Sequence, residues 1–196
     1  MIHSFGDADT ERLFQDRTVK KFAGFAARAK RKLEAIHAAA RLDDLAIPPS
    51  NRLEKLRGKL AGYYSIRINQ QWRVIFHGRA RMRGKFRLWI TTRREKMTKN
   101  EFAPVTPGMM LKEEFLDEYG LSQNQLAKAI GISPNRIAEI IHNRRRISAD
   151  TAVRLSLYFG NSPEFWMNLQ IHYDLKMAQR ELTAADRKRI QAGRAA

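Results

Sequence analysis

Between residues 121 and 146 the sequence LSQNQLAKAIGISPNRIAEIIHNRRR leaves little freedom of fold. Ser122 followed by Gln125 has the spacing of a capping box, in which two side chains satisfy each other's helix-end amides. Leu126 and Ile130 then share one face, and Ala127 is small enough for a second helix to cross closely over it. Gly131 supplies a left-handed turn residue. Ser133 and Pro134 open the next helix, because proline costs nothing at a first helical position whose N–H has no partner anyway. Ile137 and Ile141 are expected to face inward, and Asn135, Arg136 and Glu139 outward. Two short helices across a glycine turn make a helix-turn-helix, whose second helix enters the major groove of DNA. The plain alternative is an αα-hairpin of some other helical domain. The polar outer face, closing on Arg144, Arg145 and Arg146, favours DNA.

Charge supports a polyanionic partner. The 196 residues carry a formal net charge of +17. No apolar run approaches the roughly 18 residues of a membrane span, and no signal-like apolar core opens the chain, so nucleic acid is the expected partner, membrane is not, and the cytoplasm is the expected location. The absence of cysteine excludes disulfides and thiolate metal sites. His3, His37, His77, His142 and His172 are scattered singly, so no metal and no cofactor are expected. The charge is uneven: residues 1–96 hold +14 and residues 97–196 only +3. The stronger attraction for polyanions therefore lies outside the helix-turn-helix, which suggests two different partners.

The first part, 1–92, reads as an α+β domain with helices packed on an antiparallel sheet. A short strand is expected at 2–5, a long basic helix at 18–40 with Val19, Phe22, Phe25 or Ala26, Ala29, Leu33 and Ile36 buried, and strands at 52–56, 63–69, 72–77 and 86–91. Tyr64, Ile66 and Ile68 alternate with Ser65 and Arg67, the period of a half-buried strand, and Gln70-Gln71 leaves room only for a tight hairpin. Residues 93–106 read as a linker. Residues 107–182 read as an all-α helix-turn-helix domain of five helices, and the basic tail 183–196 is expected to fray.

The block 51–76, NRLEKLRGKLAGYYSIRINQQWRVIF, resembles the HigB branch of the RelE-like toxins, ribosome-dependent mRNA endonucleases. Residues 107–180, with SQNQLAKAIGISPNRIAEI and TAVRLSLYFGNSPEFWMNLQ, resemble the HigA antitoxin, a Cro-type helix-turn-helix repressor of its own operon. That family normally uses two polypeptides; here Met97 stands inside one chain where a separate antitoxin would begin. The resemblance implies that Arg67 and Arg73 contact the scissile phosphate, and that Lys55 and Arg57 hold mRNA on the ribosome or ribosomal RNA. Guanidinium and ammonium groups suit the charged phosphorane of such a cleavage. Without the resemblance these would read as solvated sheet charges. On the repressor side, Gln123 and Gln125 are expected on phosphate, Ser133, Asn135 and Arg136 on base edges of operator DNA, and Arg144 to Arg146 on the backbone. A homodimer through the C-terminal helices would span half-sites about 34 Å apart. Toxin-like and antitoxin-like parts are expected to contact each other within or between chains.

One departure stands out. Family toxins end their last strand with Asp-Tyr-His, which takes part in proton transfer, whereas this chain reads Leu88-Trp89-Ile90-Thr91-Thr92. The codons for Trp-Ile-Thr-Thr, read in a shifted frame, can spell Asp-Tyr-His, so a frameshift between residues 77 and 82 could have fused the two reading frames. The coding DNA would hold those shifted codons. The expectation is an autorepressor linked to a neutralised, catalytically impaired endoribonuclease domain. The alternatives are an active ribosome-dependent endoribonuclease inhibited in cis, and a basic RNA-binding module without chemistry.

Overall fold

The computed structural model describes residue 2 and residues 4–77, 89–90 and 103–193. The chain opens with a helix, α1 (Ala8–Phe14), whose N-cap Asp7 accepts from the Thr10 amide at 2.8 Å. Among the described residues of 2–5 no strand is present: Ile2 donates its amide to His37 Nδ1 at 3.1 Å, and Phe5 packs on Phe14 at 5.4 Å between ring centres. Ile2 and Phe5 thus meet His37 and α1 rather than the sheet. The single helix expected at 18–40 is split into a 3-10 turn (Lys20–Phe22) and α2 (Ala26–Ala38). The break turns Phe25 onto Trp72 at 4.8 Å while Phe22 is fully buried.

Four antiparallel strands follow in the order β1 (Glu54–Lys55), β2 (Tyr63–Arg67), β3 (Arg73–His77) and β4 (Trp89–Ile90). Ile66, Val74 and Phe76 are completely buried in the core that also holds Leu33 and Ile36 of α2. The hairpin closes at Asn69, whose side-chain oxygen accepts from the Gln71 and Trp72 amides at 2.9 Å each, so the turn is built by an asparagine as much as by the glutamines. Of the linker expected at 93–106, only 103–106 lie within the described residues; Met97 lies outside them.

The second part begins with one continuous rod made of α3 (Pro107–Met110), a π-helical stretch (Leu111–Leu116) and α4 (Asp117–Tyr119), stopped by Gly120 at φ 63°. Then come α5 (Gln123–Ile130), α6 (Pro134–Ile141), α7 (Ala149–Phe159) and α8 (Pro163–Glu181). The rod crosses α6 so closely that a Cβ on Gly108 would lie 2.0 Å from the Ile140 carbonyl oxygen. This crossing corrects the expected inward pair: Ile137 and Ile140 are buried, and Ile141 is only partly so. The tail expected to fray forms α9 (Ala184–Ala192), because Thr183 and Asp186 make a capping box.

Candidate nucleic-acid interface

The helix-turn-helix is positioned by its caps. Ser122 Oγ accepts from the Gln125 amide, and Gln125 Oε1 accepts from the Ser122 amide at 2.8 Å. Gln125 is thereby committed to the helix end, while Gln123 stays half-exposed. At the start of α6, Ser133 and Asn135 are exposed; Ser133 caps the Arg136 amide, and Asn135 reaches Glu139 at 3.3 Å. Arg136 departs from the expectation that it points outward to bases. Its guanidinium turns back onto the start of α7, donating to Thr151 Oγ1 at 2.7 Å and Ser148 Oγ at 2.9 Å, with Asp150 at 3.2 Å. Beyond α6, Arg145 pairs with Glu139 at 2.5 Å and Arg146 with Asp174 at 3.7 Å. Arg144 is exposed and makes no ion pair among the described residues. The outward face thus exposes Ser133, Asn135 and Arg144, the first two engaged within α6, with Arg136 and Arg145 held from behind.

On the sheet, Arg67 and Arg73 are direct cross-strand partners and so share one face. Glu54 joins them there, opposite Ser65, while Lys55 pairs with Tyr64 on the other face. The expectation that both arginines serve one phosphate meets a geometric obstacle. Arg67 Nε donates to the Asn69 carbonyl at 3.1 Å, toward the hairpin tip. Arg73 runs the opposite way, donating to Ser65 Oγ at 2.9 Å and the Arg52 carbonyl at 2.6 Å, and pairing with Glu54 at 3.2 Å. Lys55 and Arg57 are exposed and apart from both. Tyr63 and His77, which the sequence reading passed over, face each other on the same side at 5.1 Å between ring centres; the period-2 register would have found them. Among the described residues no group of three or more acidic, histidine or cysteine side chains could hold a metal.

A dense set of polar contacts lies where the two parts meet; contact between them was expected, but not the residues that make it. Three basic residues of α2, Lys30, Arg31 and Lys32, are buried in ion pairs. Arg31 forks to Glu113 at 2.6 Å and Glu114 at 2.7 Å, and Lys32 pairs with Glu114 and donates to Asn51 at 2.6 Å. Burial pushes the Glu114 carboxyl up, but Lys32 and Arg31 together hold it below its ordinary value. Lys30, only 1% exposed, meets Asp16 at 2.5 Å and Glu34 at 3.2 Å, and Lys176 and Arg180 of α8 complete that cluster. Burial lowers the Lys30 ammonium despite these partners. Asp44, fully buried, accepts from both the amide and hydroxyl of Ser162 at 2.7 Å, placing its charge on the positive end of α8.

Comparison with known proteins accounts for both parts. The family described as RelE-like toxin of type II toxin-antitoxin system HigB matches residues 3–82, and a helix-turn-helix family matches residues 111–166. Antitoxin HigA-1 of Vibrio cholerae serotype O1 is 40% identical over 79 residues, covering 40% of this chain and 74% of that protein. The chain belongs to the family of HigA antitoxins. Virulence-associated protein I of Dichelobacter nodosus is 51% identical over 83 residues, covering 42% of this chain and 77% of that protein. Toxin HigB-1 of Vibrio cholerae serotype O1 is 56% identical over 46 residues, 24% of this chain, which spans about half (48%) of that toxin's length. The two relatives from Vibrio cholerae are separate proteins; here a HigB-like half and a HigA-like half share one chain.

Proposed function

We propose that the chain is an operator-binding autorepressor of the HigA kind whose HigB-like domain, 1–92, is neutralised in cis by the helix-turn-helix domain, 107–182, and is impaired in mRNA cleavage. The observation that carries the reading is the division of labour in the HigA-like half. The rod and α8 hold the HigB-like half, while Ser133 and Asn135 at the start of α6 remain exposed. Ser133 and Asn135 have the hydrogen-bonding groups to reach base edges, and Gln123 and Arg144 flank them for phosphate.

Two apolar stripes suit a homodimer: Val153 and Leu157 on α7, 45% and 81% exposed, and Ile171 and Leu175 on α8, 46% and 55% exposed. Each is spaced i, i+4, so each forms one continuous strip. A dimer through them offers two copies of α6 to half-sites about 34 Å apart. The site of action is the cytoplasm, where operator and ribosome both lie.

Impairment has two supports. The chain lacks Asp-Tyr-His, and the toxin match ends at residue 82, before Trp89–Ile90 of β4. Arg67 and Arg73 are also directed apart along the sheet. The experiment is a binding titration of the full chain on its own promoter fragment against a scrambled duplex. The expected preference is about a thousandfold or more at physiological salt. Equal affinity for the two duplexes would remove the repressor reading. Cleavage of mRNA on translating ribosomes, run beside it, is expected to stay at background; cleavage by the full chain would overturn both the neutralisation and the impairment.

A further inference from the structure

Glu139 is the only carboxylate between residues 121 and 146, a stretch that carries five cations. It stands on α6 one turn beyond Asn135 and on the same side of the helix. An idle carboxylate there would only repel the DNA backbone, but both of its oxygens are engaged. Oε1 accepts from Asn135 Nδ2 at 3.3 Å, and Oε2 accepts from Arg145 Nε at 2.5 Å. The main chain brings Arg145 within reach. Asn143 turns left-handed at φ 56° and donates its amide to the Ile140 carbonyl at 3.0 Å, while the Arg144 amide donates to the Glu139 carbonyl at 2.8 Å. This is the Schellman ending of a helix, and it folds Arg145 back over the turn that holds Glu139. Asn143 Nδ2 also donates to Tyr173 Oη at 2.7 Å, which fastens the ending to α8.

A carboxylate only accepts hydrogen bonds, so it can meet only the NH2 end of the Asn135 amide. One N–H is thereby fixed on Glu139. The other N–H and the amide oxygen remain, the donor and acceptor that together match adenine N7 and N6. Arg145 is held on a carboxylate and does not stand free for any passing phosphate. We propose that Glu139 is a positioning residue that sets sequence specificity, orienting the Asn135 amide for the bases and withholding Arg145 from indiscriminate backbone contact. The inference rests on the operator-binding reading of α6. The carboxylate lowers affinity for every duplex and widens the gap between the right sequence and wrong ones. Specificity is a difference of affinities, and a built-in repulsion can raise it as an added contact does.

The test uses the full chain and its Glu139→Ala variant on the promoter fragment, on single-base variants of it, and on a random duplex. Glu139→Ala is expected to bind the random duplex about fivefold more tightly, through loss of one repulsive surface charge. Its log–log salt slope is expected to steepen by about one as Arg145 reaches phosphate. Discrimination at the base pair that Asn135 reads is expected to fall about tenfold. Glu139→Gln keeps an acceptor within reach of Asn135 but no charge, so it should recover that discrimination and retain the gain on random DNA. Adding Arg145→Ala to Glu139→Ala should remove the random-duplex gain, and adding Asn135→Ala should cost no further discrimination. A lower urea midpoint with an unchanged salt slope would mean that Glu139 merely stabilises α6, and would overturn the proposal. So would a Glu139→Ala variant that discriminates as the parent does, or a random-duplex gain that survives Arg145→Ala. If the parent shows no preference for its promoter, the repressor reading falls and the positioning role with it; if parent and Glu139→Ala prefer it equally, only the positioning role falls.

Discussion

Arg136 shows how much the direction of one side chain can matter. One turn into the recognition helix, its position suits base contact, yet its guanidinium bridges to Ser148, Asp150 and Thr151 at the head of α7. A cation at a helix N-terminus opposes the dipole. Asp150 offsets this, its carboxyl held below the usual range by Arg154 first and by Arg136 as well. Arg136 is thus a staple between two helices, and on the proposed function Asn135, exposed and bonded to Glu139, is the neighbouring side chain that reads the base. Arg136→Ala is expected to lower unfolding stability by about 1–2 kcal/mol, the loss of charge-assisted hydrogen bonds that are partly buried. Asn135→Ala is expected to change stability by under about 0.5 kcal/mol but to cost about 1–3 kcal/mol of operator discrimination at one base pair. Urea titration and binding to single-site operator variants separate the two effects. If Arg136→Ala keeps full stability and loses all discrimination, the arginine swings out to the bases and the staple is irrelevant.

At the scale of elements, the crossing of α3 over α6 is the tightest constraint. Gly108 has no positive φ to explain it; what it needs is the absence of a side chain, because the Ile140 and Ile141 backbone occupies the space a Cβ would take. Gly108→Ala is expected to destabilise the HigA-like half by about 1–3 kcal/mol through overpacking, seen as a lower urea midpoint with unchanged slope. An unchanged midpoint would mean that the rod can slide off α6 freely. Elements whose signals are local were legible in the sequence. Ser122 and Gln125 announced α5, Ser133-Pro134 announced α6, and strict alternation announced β2. What failed depended on competition between local choices. An apolar 2–5 was read as a strand although no neighbouring strand takes it up, and the Thr183–Asp186 box was outweighed by the basic composition that follows it. The candidate site was legible in position but not in direction. Register placed Arg67 opposite Arg73, yet nothing in a strand pattern tells one guanidinium to lean toward Asn69 and the other toward Ser65. The junction was expected as a contact but its residues were illegible, since Arg31 meets Glu114 across 83 residues and Arg180 meets Asp16 across 164.

The whole molecule is joined through buried charge, so its coupling should depend on pH, and one contact is placed to dominate near neutrality. His37 of α2 and His172 of α8 touch across the junction with ring centres 3.9 Å apart. Burial holds the His172 imidazole below its ordinary value, Lys176 pushes the same way, and Glu34 only partly opposes them. His172 Nδ1 is buried with no hydrogen-bond partner among the described residues, an arrangement that suits the neutral ring. A group whose folded value is depressed contributes its stability in full above the unfolded value, about 6.5 for histidine, and loses it as pH falls through the folded value. Glu114 is depressed too, but its contribution fades only below about 4.5, the ordinary carboxylate range. The interval between about pH 6.5 and 5 therefore isolates the histidine. Tm is expected to fall across that interval, and His172→Phe to flatten the fall whatever it does to Tm at neutral pH. At this chain length each kcal/mol is worth about 2–4 °C, within reach of calorimetry. A parent and variant with parallel Tm profiles would show that the junction does not sense the proton there, and that its cohesion rests on the ion pairs and hydrogen bonds around Arg31, Lys32, Asp16, Glu34 and Asp44.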